Sequence, residues 1–254
     1  MYNYDPRNNG PYGGGPNRGQ GNQFGSRYQY QTLPYGMQGS VQAGSLISKV
    51  MGMLAFSFVF ASLGSFVGFS LGIAYGGTYW LIAILGFVLL FALNIFIQKT
   101  PANLILLYGF TFLEGMSLAP LFALYVGSGL GNLLGEAFVL TALVSFGLAI
   151  YSWTTKRDFT RLGDYLFFGL LILLVAALVG IFFQSTVFSL LISVVGVAIF
   201  SGYVLFYVQR AKYMADTVPN AVGLTVSLFI TVLNLFLYIL EILTIFSGGN
   251  RGRR

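Results

Sequence analysis

Cysteine and histidine are both missing from this chain of 254 residues, and their absence removes whole classes of function. Without cysteine there is no disulfide, so the redox compartment leaves no mark on the sequence. Without either residue there is no zinc site of the usual ligand types and no Ser-His or Cys-His nucleophile pair. A Ser-His intramembrane protease is excluded, and the expectation is a protein that is not an enzyme, with no catalytic or metal-ligating residue and no cofactor. Any response to pH falls to carboxylates, because no imidazole is available. Charge is scarce as well: 8% of residues are charged, where a soluble domain carries about 25%. What remains is apolar, 56% of the chain, the composition of an integral membrane protein. The net charge of +6 does not point to nucleic acid, because the basic residues flank the apolar runs and form no dense patch.

Residues 1–44 stand apart. They are rich in Gly, Asn, Gln, Pro and Tyr, with runs such as Gly13-Gly14-Gly15-Pro16-Asn17. Such a segment buries too little apolar surface to offset its chain entropy, so a disordered tail is expected. It has no apolar stretch of the signal-peptide kind. Seven apolar segments follow, over approximately 48–74, 79–98, 103–126, 133–154, 164–184, 187–208 and 221–246. Long spans joined by short, often Gly-rich breaks predict an all-α, up-down bundle in lipid occupying residues 45–246. A short basic tail, 247–254, completes the chain.

Lys and Arg set the orientation. Arg7, Arg18, Arg27, Lys49, Lys99, Lys156, Arg157, Arg161, Arg210 and Lys212 all fall on one side of a seven-span arrangement. The inter-span loops on the other side have none. The positive-inside rule then places the N-terminus in the cytoplasm, and a bacterial inner membrane is the expected location. Arg251, Arg253 and Arg254 end on the outer side if the last segment spans fully, and return to the cytoplasm if it is re-entrant; seven full spans are preferred.

The third segment holds the most informative residue. Glu114 interrupts an apolar run from Asn103 to Tyr125 and lies about 17 Å along it at ~1.5 Å per residue. That is close to the centre of a hydrocarbon layer ~30 Å thick. A charged carboxylate there costs on the order of 3 kcal/mol or more, so it faces protein interior or a water-filled path. Gly115 and Pro120 follow, and both weaken a helix. Pro120 removes one backbone hydrogen bond and crowds the carbonyl of Met116, which then needs a partner: a side chain, a water or a passing ion. Two readings of Glu114 stand, a residue on an ion path and a neutral, hydrogen-bonded structural carboxyl. Glu136 and Glu241 fall toward the outer face. They form either a stepped set with Glu114 that draws cations inward, or simple interfacial residues.

Other polar and small residues suggest packing. Gly64, Gly68 and Gly72 form a double GxxxG ridge in the first span, which lets helix backbones approach closely. Its expected use is within one monomer rather than in a homodimer. Asn234 in the last span reads as helix glue. Pro101 and Pro219, preceded by Thr100 and Thr217, mark helix starts. Asp158 and Asp164 are expected as solvated partners of Lys156, Arg157 and Arg161.

Three passages resemble the Bax inhibitor-1 family, whose defining element is the transmembrane Bax inhibitor motif. They are Phe110-Thr-Phe-Leu-Glu114-Gly115-Met-Ser-Leu-Ala-Pro120, Tyr203-Val-Leu-Phe-Tyr207-Val-Gln209 and Ser227-Leu-Phe-Ile-Thr231-Val-Leu-Asn234-Leu-Phe-Leu237. The resemblance covers about residues 45–246 and is that of a bacterial-type member. It implies six helices around a central seventh. It also implies association with a pH-gated calcium leak and, in eukaryotes, with protection from cell death. In that picture the gate is a pair of aspartates, which this chain replaces with Tyr207 and Thr231. Neither titrates near neutral pH, so the family's acid latch is not expected here, while Glu114 matches the family motif.

Two functions follow as expectations. One is a cation leak, for calcium ions or protons, with Glu114 on the path. The other is a non-transporting scaffold or regulator that binds other membrane proteins through the small-residue ridge or the tail. The lipid bilayer is the surrounding partner in both.

Overall fold

The computed structural model describes residues 40–183 and 185–251. The tail expected over 1–44 lies outside the described residues up to position 39, and helix α1 already begins at Ser40. The order is α1 (Ser40–Ser70), α2 (Gly77–Phe96), α3 (Ala102–Ser117), α4 (Ala119–Gly127), α5 (Gly131–Thr154), α6 (Leu162–Phe183), α7 (Thr186–Ala211) and α8 (Val218–Arg251). Helices α3 and α4 together make one membrane-length segment, Ala102–Gly127, so seven segments are long and apolar enough to cross a bilayer. No strand is present among the described residues. The last of these segments runs Val218–Gly248, and α8 continues to Arg251, so residues 247–251 extend the helix rather than begin a separate tail.

The helices are apolar all round, which is the pattern of segments solvated by lipid. Large side chains point outward along their length, among them Phe182, Tyr165 and Phe146. Turns close where the chain has small or polar residues. Gly72 adopts φ 65° and ends α1 in a left-handed turn that a Cβ would strain. Ser185 caps α7, its hydroxyl accepting from the Phe188 N–H at 3.4 Å. Thr217 caps α8 by accepting from the Asn220 N–H at 3.4 Å. Thr100 makes no such cap for α3; Asn103 instead ties the entry of that helix by donating to the Ile97 carbonyl at 2.8 Å.

Helix α8 is the packing centre. It contacts α1, α3, α5 and α7, and Leu224, Phe229 and Leu235 along it are fully buried. Phe229 meets Phe58 of α1 at 5.3 Å and Phe110 of α3 at 6.1 Å between ring centroids. Helices α2 and α6 stand farther from it, and add Leu93 and Leu173 to the core clusters that it builds. Among the described residues the backbone of α2 comes close to that of α3 alone and the backbone of α6 to that of α7 alone, while the backbones of α1 and α5 stay apart.

The tightest seam joins α1 to α3. A Cβ on Gly115 would lie 1.9 Å from the Ala61 carbonyl oxygen, and one on Gly64 would lie 2.0 Å from that of Phe112. Gly68 continues the seam against Met116 and Ala119. The expected ridge is thus spent within the chain through Gly64 and Gly68. Gly72 does not join it: nothing lies within 4 Å of its Cβ position, because the helix has ended. Replacing Gly64 or Gly115 with alanine forces backbones apart, at a cost typical of overpacking, about 1–3 kcal/mol. Thermal unfolding in detergent is expected to show this loss for both variants. Gly147→Ala is expected to show none, since its Cβ would meet nothing within 4 Å.

Candidate functional site

The third span breaks at Leu118. Pro120 sits in the first turn of α4, where its missing N–H costs least. The Leu118 N–H turns to the Gly115 carbonyl at 3.1 Å. That leaves the Glu114 carbonyl, which takes the Ser117 hydroxyl at 2.7 Å. The Met116 carbonyl, which Pro120 cannot serve, faces Gly68, 2.9 Å from the place of a Cβ there. The break is therefore packed against α1, the Ser117 hydroxyl serves the Glu114 carbonyl, and the Leu118 N–H reaches the carbonyls of both Gly115 and Met116, so that the carbonyls at the break keep donors, as a proline inside a span requires.

Glu114 points the other way. Its side chain is half-buried, and Oε1 lies 3.5 Å from the Cβ position of Gly86 on α2. Its carboxyl makes no hydrogen bond and no ion pair among the described residues. The other two carboxylates do not join it. Glu136 is exposed on α5 and accepts from Asn132 Nδ2 of its own helix at 3.2 Å. Glu241 is exposed on α8, and the backbone of α2, which faces Glu114, comes close to neither that of α5 nor that of α8. Among the described residues no three acidic side chains gather as a metal site would need.

Tyr207 and Thr231 lie on the packed pair α7 and α8. Tyr207 stacks on Tyr203 at 5.6 Å and meets Phe206 edge-on at 5.2 Å. Thr231 is buried and donates to the Ser227 carbonyl at 2.7 Å. Asn234, expected to bond across helices, spends its Nδ2 on Ile230 of its own helix at 2.8 Å. A polar side chain in an apolar span bonds the nearest carbonyl one turn back, and no second helix is needed to satisfy it.

The end of the bundle that carries the basic residues is tied by polar contacts the sequence reading passed over. Gln209, 2% exposed, accepts from the Phe159 N–H and donates to the Arg157 carbonyl at 2.5 Å, pinning the α5–α6 loop to the end of α7. Lys212 donates to the Ser152 carbonyl at 2.8 Å and stands 5.5 Å from the Trp153 ring centroid, and burial holds its pKa below the ordinary lysine value. Lys49 of α1 pairs with Asp216 of the α7–α8 loop at 2.9 Å. Asp158 accepts both the hydroxyl and the N–H of Thr160, at 2.6 and 2.9 Å, a local turn that adds to its weaker attraction to Arg161. An amide closing an apolar span beside Arg210, and an acid two residues before a helix start, were the available signals for Gln209 and Asp216.

The Asp216 carboxyl sits below its usual range, first because the Ser45 hydroxyl donates to it and then because of Lys49. A carboxyl depressed in the fold stabilises above its unfolded value of 3.8, and the contribution disappears as pH falls through the folded value. Asp216→Asn is therefore expected to lower stability at pH 7 by less than about 1 kcal/mol, as befits an exposed pair. Unfolding midpoints of the two proteins should converge below about pH 3.

Comparison with known proteins gives a consistent picture. The family described as "Inhibitor of apoptosis-promoting Bax1" matches residues 43–248. An uncharacterized protein of Campylobacter jejuni is 34% identical over 215 residues, covering 82% of this chain and 92% of that one. An uncharacterized membrane protein of Vibrio cholerae is 37% identical over 170 residues, 66% of this chain and 73% of its own. Protein lifeguard 4 of the mouse is 32% identical over 155 residues, 61% of this chain and 63% of its own.

Proposed function

The chain belongs to the Bax inhibitor-1 family, and on that footing we propose that it is a cation leak with Glu114 on the path. The observation that carries this reading is the state of that carboxyl. It is half-buried near mid-span, faces a glycine on α2, lies four residues before the helix break at Leu118, and has no partner among the described residues. A structural carboxyl would be expected to hold a hydrogen bond at that depth, because an unsatisfied one is costly. A single carboxylate supplies at most two of the 6–8 oxygens that calcium takes. A calcium ion would thus pass with most of its water, and a proton would pass by uptake and release at Glu114. The basic end of the bundle is taken as cytoplasmic by the positive-inside rule, which puts the exposed Glu136 and Glu241 toward the outer side. Consumption of the Gly64–Gly68 ridge by α3 supports a monomer.

A second reading is favoured by the apolar outer faces of α2 and α6, where Phe87 and Phe91 on one and Phe168 and Ile172 on the other are exposed. Such faces suit a regulator that binds other membrane proteins. Flux separates the two. In liposomes carrying calcium- and pH-sensitive dyes, the wild-type protein is expected to pass cations, and Glu114→Gln to slow them about tenfold. Glu136→Gln and Glu241→Gln should change the rate less than about twofold. Because Tyr207 and Thr231 stand where the family has its aspartates and neither is a carboxyl, the calcium rate should show no steep rise on acidification between about pH 8 and 6 in Glu114→Gln, and any pH dependence of the wild type should be traceable to Glu114. Equal flux in wild type and Glu114→Gln would remove Glu114 from the path, and no flux in either would leave the regulator.

A further inference from the structure

The gap between α1 and α5 opens into a cavity of about 630 Å³. Its walls are Leu54 and Phe58 of α1 and Phe138 of α5, and its floor is Leu228 and Phe236 of α8. The backbones of the two helices on either side stay apart among the described residues, and the mouth between them faces the surrounding bilayer. Its lip is continuous with lipid-facing surface: Phe138 and Phe146 line the cavity and are 61% and 69% exposed. Along α1 the lining runs from Met51 to Ser65, about 21 Å at ~1.5 Å per residue. One leaflet of hydrocarbon is ~15 Å deep, half of a ~30 Å core, so the groove is long enough for a whole acyl chain.

The lining contains no charged side chain, and its polar groups are hydroxyls. Ser62 donates to the Phe58 carbonyl at 2.8 Å and Thr141 to that of Ala137 at 2.7 Å. The Ser145 hydroxyl is buried without a partner. Water needs two to four polar partners in such a place, and these groups offer too few. An empty groove is no better, since its walls forfeit their dispersion contacts. The segment of this chain outside the described residues, 1–39, is Gly-, Asn- and Gln-rich with no apolar run, so it is chemically unsuited to the site.

We infer that this cavity is a side pocket for one acyl chain of a bilayer phospholipid, entering between α1 and α5. The site is separate from the Glu114 path, since Glu114 does not line it.

The test uses the full chain extracted with its native lipids, and it reads lipid rather than ion flux. Native mass spectrometry is expected to show one phospholipid retained per wild-type chain. Ala142→Phe, which fills the groove, should reduce that retention about tenfold. Because the natural chain has no cysteine, Ser145→Cys gives a single thiol and a nearly isosteric probe. An acyl-filled pocket predicts that this thiol resists a charged methanethiosulfonate reagent in membranes and reacts with an apolar maleimide. Rapid labelling by the charged reagent, at the rate of a Ser128→Cys control in the loop, would mean water and overturn the inference. So would lipid retention unchanged in Ala142→Phe, or a lipid-free dimer mass showing that a second copy covers the groove.

Discussion

The contact on which the rest depends is the backbone-to-backbone approach of α1 and α3. Gly115 lies against the Ala61 carbonyl and Gly64 against that of Phe112, closer than any side chain would allow. In a bilayer the apolar effect gives helices no reason to associate, so such van der Waals contact is what holds neighbours together. The seam also fixes rotation. Successive residues in a helix are turned by about 100°, from 3.6 residues per turn. With Gly115 held against α1, Glu114 cannot face α1 as well, and it turns toward α2. The one deep carboxyl of the third span therefore owes its direction to the glycine next to it.

The same seam explains the break that follows. Pro120 leaves the Met116 carbonyl without its usual donor, and the small residue opposite, Gly68, lets α1 close over it. A larger residue there would hold the helices apart and open the break to lipid, where an unsatisfied backbone group costs several kcal/mol. Farther along, the bundle relies on α8, whose aromatic and branched side chains fill the space between α1, α3, α5 and α7. Where loops meet at the basic end, Lys212 satisfies the Ser152 carbonyl in the last turn of α5, as such ends require, and Gln209 holds the loop carbonyl of Arg157.

Much of this was legible in the sequence, for physical reasons. A span in lipid needs about 20 apolar residues, so seven runs predict seven membrane-length segments, and their ends fall within a few residues of the expected ones. The kink was legible because Pro120 has no N–H. The seam was half legible: the spacing of Gly64 and Gly68 announced a close approach, but not that Gly115 would be its partner, nor that Gly72 would end the helix instead of extending the ridge. What could not be read is what depends on rotation and on distant pairing. The direction of Glu114, the isolation of Glu136 and Glu241, and the Lys49–Asp216 pair across 167 positions of chain are tertiary facts. Gln209 was visible as a letter inside a motif, while its two loop contacts were not.

The two flanks of the third span are separate environments that composition alone would merge. On the α2 side the third span presents a carboxyl with no partner among the described residues. On the α5 side it presents Leu118 and Phe122 to an apolar cavity. One helix pair thus shows a titratable face and a hydrocarbon face on opposite flanks, divided by the α1 seam. A charge moving past Glu114 would have to use the α2–α3 interface, because the larger cavity offers it only hydroxyls and hydrocarbon. Helix α2, whose backbone comes close to that of α3 alone among the described residues, has less to lose by shifting than the helices packed on α8, since few buried contacts mean a low cost of local opening. On the proposed path, access to Glu114 would be governed by how firmly Gly86 of α2 rests against Leu113 and Glu114 of α3, and not by the α7–α8 pair where Tyr207 and Thr231 stand.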